Sequence, residues 1–234
     1  MNSTKYVLVT GGAGFIGRWL CKALLEEGHF VIALDDFSNG SSRNIQEFKT
    51  QDNFTFIRGS VLDRPLLLKI FQKYHIESCY HLAAQIIVQN SLDNPEKTFW
   101  PDVVGTFQVL EECRKKKIPF LFMSTCMVYD FALAKSGIDE TSPVLPRSPY
   151  AGAKLAAENM VLSYYHSYNI PTVIVRPFNT YGPFQKSGGD GGVIPIFLNH
   201  AIKKQKLSIY GGGTQTRDFL YVTDCINFLL KALN

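Results

Sequence analysis

Short apolar runs alternate with segments of helical spacing along residues 1–177. The strand-like runs are KYVLVT, FVIALD, NFTFIRG, ESCYHLAA, IPFLFMS and PTVIVRP. They are almost continuously apolar, which is typical of strands buried on both faces of a parallel sheet. The helix-like segments between them are FIGRWLCKALLEEG, DRPLLLKIFQKY, NPEKTFWPDVVGTFQVLEECRKKK and YAGAKLAAENMVLSYYHSY. This alternation predicts an α/β fold with a Rossmann-like, doubly wound parallel sheet.

Proline and glycine divide the pattern further. We expect the third helix to be interrupted near Pro101, and the fourth to begin at Ser148 and Pro149, a cap followed by a first-turn proline. After Pro177 comes FNTYGPFQKSGGDGGV, which is too long for an ordinary loop and is expected to build a ligand wall. The sequence therefore predicts a Rossmann domain over residues 1–177 and a partial substrate-binding lobe over 178–234. The last strand and helix of that lobe are candidates for return to the larger sheet.

Composition excludes several classes of function. The net charge is +4 and the basic residues are scattered, except for Arg114–Lys117 where a helix should end, so no nucleic-acid partner is expected. Five widely spaced cysteines predict neither a disulfide framework nor a zinc site, and no metal is expected. No signal peptide is visible, and no apolar stretch approaches the roughly 20 residues that span a bilayer. We therefore predict a cytoplasmic protein without a membrane partner.

A glycine motif follows the first strand. VTGGAGFIG places Gly11, Gly14 and Gly17 at the start of the first helix, where a dinucleotide pyrophosphate binds. Asp35 ends the second strand, eighteen residues after Gly17. A carboxylate there accepts hydrogen bonds from both ribose hydroxyls of an adenosine, which favours NAD over its 2′-phosphorylated form. Asp36 beside it is interpreted as a cofactor contact or a solvated loop acid.

A tyrosine and a lysine share one face of the fourth helix. SPYAGAK places Tyr150 and Lys154 at positions i and i+4. A nearby ammonium lowers the pKa of a phenol, so Tyr150 is a candidate acid/base near neutral pH. Most such pairs in proteins are surface residues. This one follows the strand that ends at Ser124 and Thr125, on the carboxyl edge of the sheet where doubly wound folds bind ligands.

Seven motifs in order resemble one family. TGGAGFIG, LDDFSNG, HLAAQ, MSTCMVYD, SPYAGAK, RPFNTYGP and GGGTQTRDFLYVTD resemble the extended short-chain dehydrogenases/reductases, in the epimerase/dehydratase branch that acts on nucleotide sugars. The resemblance implies that Thr125 bonds a sugar hydroxyl, that Tyr150 is the base and that Lys154 is its partner, while Ser124 is structural. It implies further NAD contacts at Phe15, Ile16, Asp36, Ser38, Asn39, Ser60, Val61, Leu82, Ala83, Ala84, Tyr150, Lys154 and Pro177. It also implies that Asn179 and Arg217 hold the substrate diphosphate and that Val193 lies near the nucleotide base.

The sequence departs from the family after Thr125. Dehydratases of this branch carry Asp-Glu there and decarboxylases keep the Glu, whereas this chain has Cys126 and Met127. Met127 cannot titrate, and Cys126 is interpreted chiefly as a packing residue. This favours 4-epimerisation of a UDP-hexose or UDP-hexuronate through a 4-keto intermediate. The alternatives are a 4,6-dehydratase or decarboxylase with altered acid/base residues, in which Cys126 relays a proton, and a non-catalytic NAD-binding regulatory protein.

Other departures concern single positions. Asp102 stands where an Asn usually occurs, Asp130 replaces a glycine, and Ser60 replaces an acid that contacts adenine. The chain stops at Asn234, earlier than the family usually does, so a fragment is expected. The resemblance also implies a homodimer through the helices near residues 95–116 and 149–168. The residues offered for that interface are Phe99, Trp100, Phe107, Tyr164 and Tyr165.

Overall fold

A six-stranded parallel sheet lies at the centre of the computed structural model, which describes residues 4–131, 137–188, 191–209 and 211–233. The strand order is β3-β2-β1-β4-β5-β6, and every neighbouring pair is parallel. The order reverses between β1 and β4, which opens a crevice at the carboxyl ends of these strands. The predicted fold class is confirmed. The strands are β1 (Lys5–Thr10), β2 (Phe30–Asp35), β3 (Phe54–Arg58), β4 (His75–His81), β5 (Phe120–Met123) and β6 (Thr172–Val175).

Helices cover both faces of this sheet because successive strand residues point to opposite sides. Val7 and Val9 of β1 belong to one hydrophobic core, and Leu8 between them belongs to the other. The first core contains α1 (Phe15–Glu26) and α8 (Val222–Leu233). The second is covered by α2 (Arg64–Lys73), α5 (Thr106–Lys116) and α6 (Pro149–Tyr168). Two buried faces explain the almost unbroken apolar runs of the strands.

The helix before β5 is interrupted as predicted. It begins as α4 (Glu96–Phe99), continues through a π-helical turn, Trp100–Gly105, and becomes α5. Pro101 has no N–H to donate, which favours such a local rearrangement of helical hydrogen bonds. A short helix, α3 (Val88–Asp93), precedes α4. The turn matters for the site because Asp102 within it is fully buried and the turn packs against α6.

Helix ends follow the sequence signals. The Ser148 hydroxyl accepts a hydrogen bond from the Ala151 N–H, and Pro149 occupies the first turn of α6. At the C-terminal end of α5, Arg114 donates to both carboxylate oxygens of Glu111. Lys117 ends this helix with a backbone in the left-handed region. Across the described ranges, no helix has the length and apolarity needed to cross a membrane.

The chain after Pro177 forms a second, smaller sheet. Strands β7 (Asn179–Tyr181) and β8 (Phe219–Tyr221) pair in parallel, and α7 (Val193–Ile202) lies between them in sequence. β8 therefore pairs outside the large sheet, whereas α8 packs against α1. The loop after β7 also contacts α1, since the Trp19 indole N–H donates to the Pro183 carbonyl at 3.0 Å. The division of the chain at residue 177 stays a prediction.

Two helical glycines give a test of the packing around β1. A Cβ added at Gly17 in α1 would lie 2.1 Å from the Gly11 carbonyl oxygen, while one added at Gly152 in α6 would meet nothing within 4 Å. We expect Gly17→Ala to lower the free energy of unfolding by about 1–3 kcal/mol or more. The matched change Gly152→Ala should raise it by up to about 1 kcal/mol. Urea denaturation measures both, and a Gly17→Ala protein as stable as the wild type would contradict this packing.

Candidate active site

The glycine turn lies where β1 ends and α1 begins. Gly11 has φ +70°, and a Cβ there would lie 2.8 Å from the Ala83 nitrogen. Gly14 is the N-cap of α1, and no side chain caps that helix end. A helix N-terminus with free backbone N–H groups and no intruding side chain is suited to an anion such as a pyrophosphate. The turn therefore fits the predicted dinucleotide.

Asp35 is held at the carboxyl end of β2 by backbone donors. One carboxylate oxygen accepts from the Ala13 N–H at 3.0 Å and the other from the Phe37 N–H at 2.8 Å. Burial raises the pKa of Asp35, and these backbone hydrogen bonds oppose that rise. Each oxygen of a carboxylate can accept a second hydrogen bond. The fixed carboxylate therefore retains capacity for ribose hydroxyls.

Other predicted cofactor residues surround the same edge of the sheet. The Asn39 side-chain amide donates to the Ala84 carbonyl at 3.0 Å, which joins the loops after β2 and β4. Ser60 follows β3, and its hydroxyl accepts from the Leu62 N–H. Most of the remaining predicted residues are packed against the hydrophobic cores: Phe15, Ile16 and Leu82 against the first, and Ala83 against the second. Val61 is buried, whereas Asp36 and Ser38 are exposed. The Pro177 carbonyl accepts a backbone hydrogen bond from the Cys126 N–H.

A buried chain of hydrogen bonds fixes the loop after β4. The Ala83 N–H donates to the Thr10 hydroxyl, and Thr10 and His81 Nδ1 lie 2.8 Å apart. His81 Nε2 lies 3.0 Å from the Thr106 hydroxyl, which itself donates to the Asp102 carbonyl. Burial lowers the pKa of His81 to about 3, so the imidazole is neutral. Because the one Thr106 proton goes to a carbonyl, His81 Nε2 carries the ring proton, and the network is structural.

Thr125, Tyr150 and Lys154 lie together, buried, at the carboxyl end of β5. The Thr125 hydroxyl accepts from the Met127 N–H at 3.2 Å, and it acts to lower the pKa of the Tyr150 phenol. Tyr150 stands in the first turn of α6 and Lys154 one turn later. The Lys154 ammonium donates to the Met123 carbonyl at 3.0 Å. The structure thus brings together the three residues that the sequence singled out as catalytic.

Burial acts on the protonation of both groups of this pair. It raises the pKa of Tyr150, and the negative charge of Asp102 raises it further, while Thr125 acts in the opposite direction. Burial lowers the pKa of Lys154. Both groups lose water, and desolvation favours the neutral form of each. The expectation that Lys154 makes Tyr150 ionise near neutral pH stays a prediction.

An ion pair that the sequence did not predict stabilises the elements around the site. Glu158 lies one turn beyond Lys154, is 1% exposed, and accepts from Nε and Nη2 of Arg176 at 2.9 and 2.6 Å. It also accepts from the Ser124 hydroxyl. This contact joins α6 to the ends of β5 and β6, and it gives Ser124 a structural role. The i and i+4 spacing of Lys154 and Glu158 was the available signal, since both lie on the face of α6 that the sheet covers.

Two of the predicted substrate residues meet near the small sheet. Asn179 and Val193 line a cavity of about 130 Å³ together with Phe219 of β8. The Asn179 side-chain amide donates to the Asp218 carbonyl at 3.0 Å. Burial raises the pKa of the Cys126 thiol, and the charge of exposed Arg217 acts in the opposite direction. Arg217 is exposed and does not line this cavity.

The sheet order and the glycine turn define a Rossmann-fold dinucleotide-binding protein. Residues 7–234 match the model of the NAD dependent epimerase/dehydratase family, and the chain belongs to that family. The predicted family is confirmed, and so, at family level, is the dependence on NAD.

Similar proteins include more than one reaction type. Pal from Bacillus thuringiensis is 52% identical with a TM-score of 0.94, and the match covers 97% of this chain and 73% of that one. The UDP-glucose 4-epimerase of Mycolicibacterium smegmatis is 35% identical over 96% of this chain and 72% of its own length. The human dTDP-D-glucose 4,6-dehydratase is 36% identical over 98% of this chain and 65% of its length. The chain thus spans roughly two thirds to three quarters of these proteins, and identity favours neither epimerase nor dehydratase.

Proposed function

We propose that this chain carries the catalytic centre of an NAD-dependent nucleotide-sugar 4-epimerase, which acts on a UDP-hexose or UDP-hexuronate through a 4-keto intermediate. One observation carries the proposal. Thr125, Tyr150 and Lys154 lie together, while the two residues that follow Thr125 in the sequence are Cys126 and Met127. Epimerisation at C4 needs one acid/base and a redox partner. Elimination or decarboxylation needs further acid/base groups beside the same hydroxyl, and carboxylates are the usual ones.

The end of β1 and the end of β2 offer groups that would hold the cofactor. The N–H groups at the start of α1 would bind the diphosphate, and the Asp35 carboxylate would accept hydrogen bonds from the adenosine ribose hydroxyls. When bound, NAD supplies a hydride acceptor that later returns the hydride. The tight backbone approach at Gly11 and the uncapped helix end fit such a group.

Tyr150 takes the proton of the sugar 4-hydroxyl, and Thr125 orients that hydroxyl. Since burial raises the pKa of Tyr150, the phenol requires positive charge nearby in the working complex. The Lys154 ammonium has three N–H donors, and the hydrogen bond to the Met123 carbonyl uses one of them. The remaining donors allow Lys154 to stabilise the phenolate and to hold a ribose hydroxyl.

Cys126 is a weak candidate for the proton relay that a variant dehydratase needs. Its side chain is buried, and burial raises the pKa of the thiol, so little thiolate exists at neutral pH. Met127 is exposed and does not titrate. These two residues therefore support epimerisation over dehydration.

Cofactor choice tests the role of Asp35. Calorimetry should show tighter binding of NAD than of NADP to the wild type. Asp35→Ala removes hydrogen bonds to a charged group, so it should lower the affinity for NAD by at least about tenfold. The difference in affinity between NAD and NADP should become smaller. Asp52→Ala, which removes an exposed acid at the amino end of β3, serves as control and should change neither affinity. Tighter binding of NADP by the wild type would show that Asp35 does not select the cofactor.

Substitution of Tyr150 tests the reaction. Tyr150→Phe removes only the hydroxyl, so turnover should fall by at least about 10²-fold with little loss of sugar-nucleotide binding. Cys126→Ser should stay within about tenfold of the wild type, since a packing residue has no step to perform. NMR of the products formed from a panel of UDP- and dTDP-sugars measures both.

The products separate the alternatives. A 4-keto-6-deoxy sugar would refute epimerisation in favour of a dehydratase. Loss of CO₂ from UDP-glucuronate would identify a decarboxylase. Binding of NAD without turnover of any sugar would favour a regulatory protein.

We further propose a homodimer through α4, the π-helical turn, α5 and α6. Phe99, Trp100, Phe107 and Tyr165 are 40–50% exposed on these elements. Tyr164 instead donates to Glu111 of its own chain at 2.6 Å. Exposed aromatic residues clustered on packed helices are typical of subunit contacts.

Light scattering tests this assembly. The wild type should be dimeric at micromolar concentration, and Trp100→Asp should shift it toward monomer because a charge replaces apolar contact area. Exposed Lys69→Asp on α2 is the matched control and should remain dimeric. A monomeric wild type would contradict the proposal.

A further inference from the structure

Asp102 is a fully buried acid whose charge is incompletely compensated. It lies in the π-helical turn before α5, and one carboxylate oxygen accepts from the Gln85 N–H at 2.7 Å. The other oxygen, Oδ2, is buried and has no hydrogen-bond partner within the described part of the chain. A buried carboxylate with a free oxygen is costly unless a positive charge lies near it. For Asp102, that charge has to come from a cation on a neighbouring element.

Lys154 is the cation that faces Asp102. Burial raises the pKa of Asp102 to about 6, and the Lys154 charge acts against that rise. In return, Asp102 supports the charged form of Lys154 against desolvation. The turn that contains Asp102 packs against α6, which carries Lys154. Asp102 and Lys154 are therefore buried charges on neighbouring elements, and each favours the charged form of the other.

Two of the other titratable groups around this pair, His81 and Glu158, already have hydrogen-bond partners. His81 on β4 is neutral and connects to the Asp102 main chain through Thr106. Glu158 also faces Lys154, but both of its oxygens bond Arg176. The remaining groups are Tyr150, which Asp102 makes harder to ionise, and Cys126, which faces Tyr150.

We propose that Asp102 is a positioning residue that sets the charge of the Tyr150–Lys154 pair: its carboxylate is the counter-ion of Lys154 and keeps the proton on Tyr150 in the resting protein. This rests on the proposed role of the pair as the acid/base. An asparagine, which the family resemblance implies at this place, would keep the hydrogen bond to the Gln85 N–H but carry no charge. The carboxyl also holds the loop that follows β4 through the Gln85 N–H.

The first experiment measures the carboxyl itself, in the chain without cofactor or sugar. NMR of protein labelled with carbon-13 in its aspartate carboxyl groups should show one aspartate that titrates near pH 6. Lys154→Met removes the counter-charge and should raise that midpoint by about one pH unit or more. Exposed Lys69→Met on α2 is the control and should leave it unchanged. If Lys154→Met moves no aspartate midpoint upward, the proposal is overturned.

The second experiment uses Asp102→Asn. The aspartate signal near pH 6 should disappear, and the pH profile of turnover should shift, because the negative charge that acts on both Tyr150 and Lys154 is gone. A merely structural role would lower turnover without moving the profile, and an unmoved profile contradicts the proposal. If Asp102→Asn does not fold, Lys154→Met still decides. The carboxyl titration needs no turnover, so a failed epimerase assay and a failed coupling are distinguishable.

Discussion

The close approach of three backbone segments at the end of β1 is the constraint on which the site depends. The glycine turn lies against the loop after β4 on one side and against the start of α1 on the other, and Cβ atoms at Gly11 or Gly17 would overlap main-chain atoms. The chain of hydrogen bonds from Ala83 through Thr10 and His81 holds that loop at the same place. A dinucleotide site thus follows from backbone packing, and side chains act mainly as its supports.

A second constraint acts along α6, which carries charge into an apolar interior. Tyr150, Lys154 and Glu158 are spaced by one turn each, so they share the face that covers the sheet. Desolvation disfavours the charged form of every group on that face. Glu158 has a partner of opposite charge in Arg176, and we propose Asp102 as the partner of Lys154. The charges on this face of α6 therefore depend on residues far away in sequence.

Sequence alone was sufficient where the signal is local. Apolar runs gave the six strands, and the glycine turn, the Ser148 cap and the break near Pro101 all lie where predicted. It was insufficient where distant residues pair, because spacing says nothing about partners separated by tens of residues. The pairing of Asn179 with Phe219, the Glu158–Arg176 contact and the burial that raises the pKa of Tyr150 all belong to this second class.

The position of negative charge distinguishes this site from the pattern that its motifs resemble. Dehydratases of the branch that this chain resembles carry carboxylates directly after the threonine, where a proton can be passed to and from a sugar carbon. This chain has Cys126 and Met127 there and instead buries a carboxylate at Asp102, in the turn that packs on α6. We propose that the charge of Asp102 acts on Tyr150 and Lys154, whereas a charge after Thr125 would also reach the substrate carbons. The absence of a carboxylate at Cys126 and Met127 is therefore the reason for which we propose chemistry at C4.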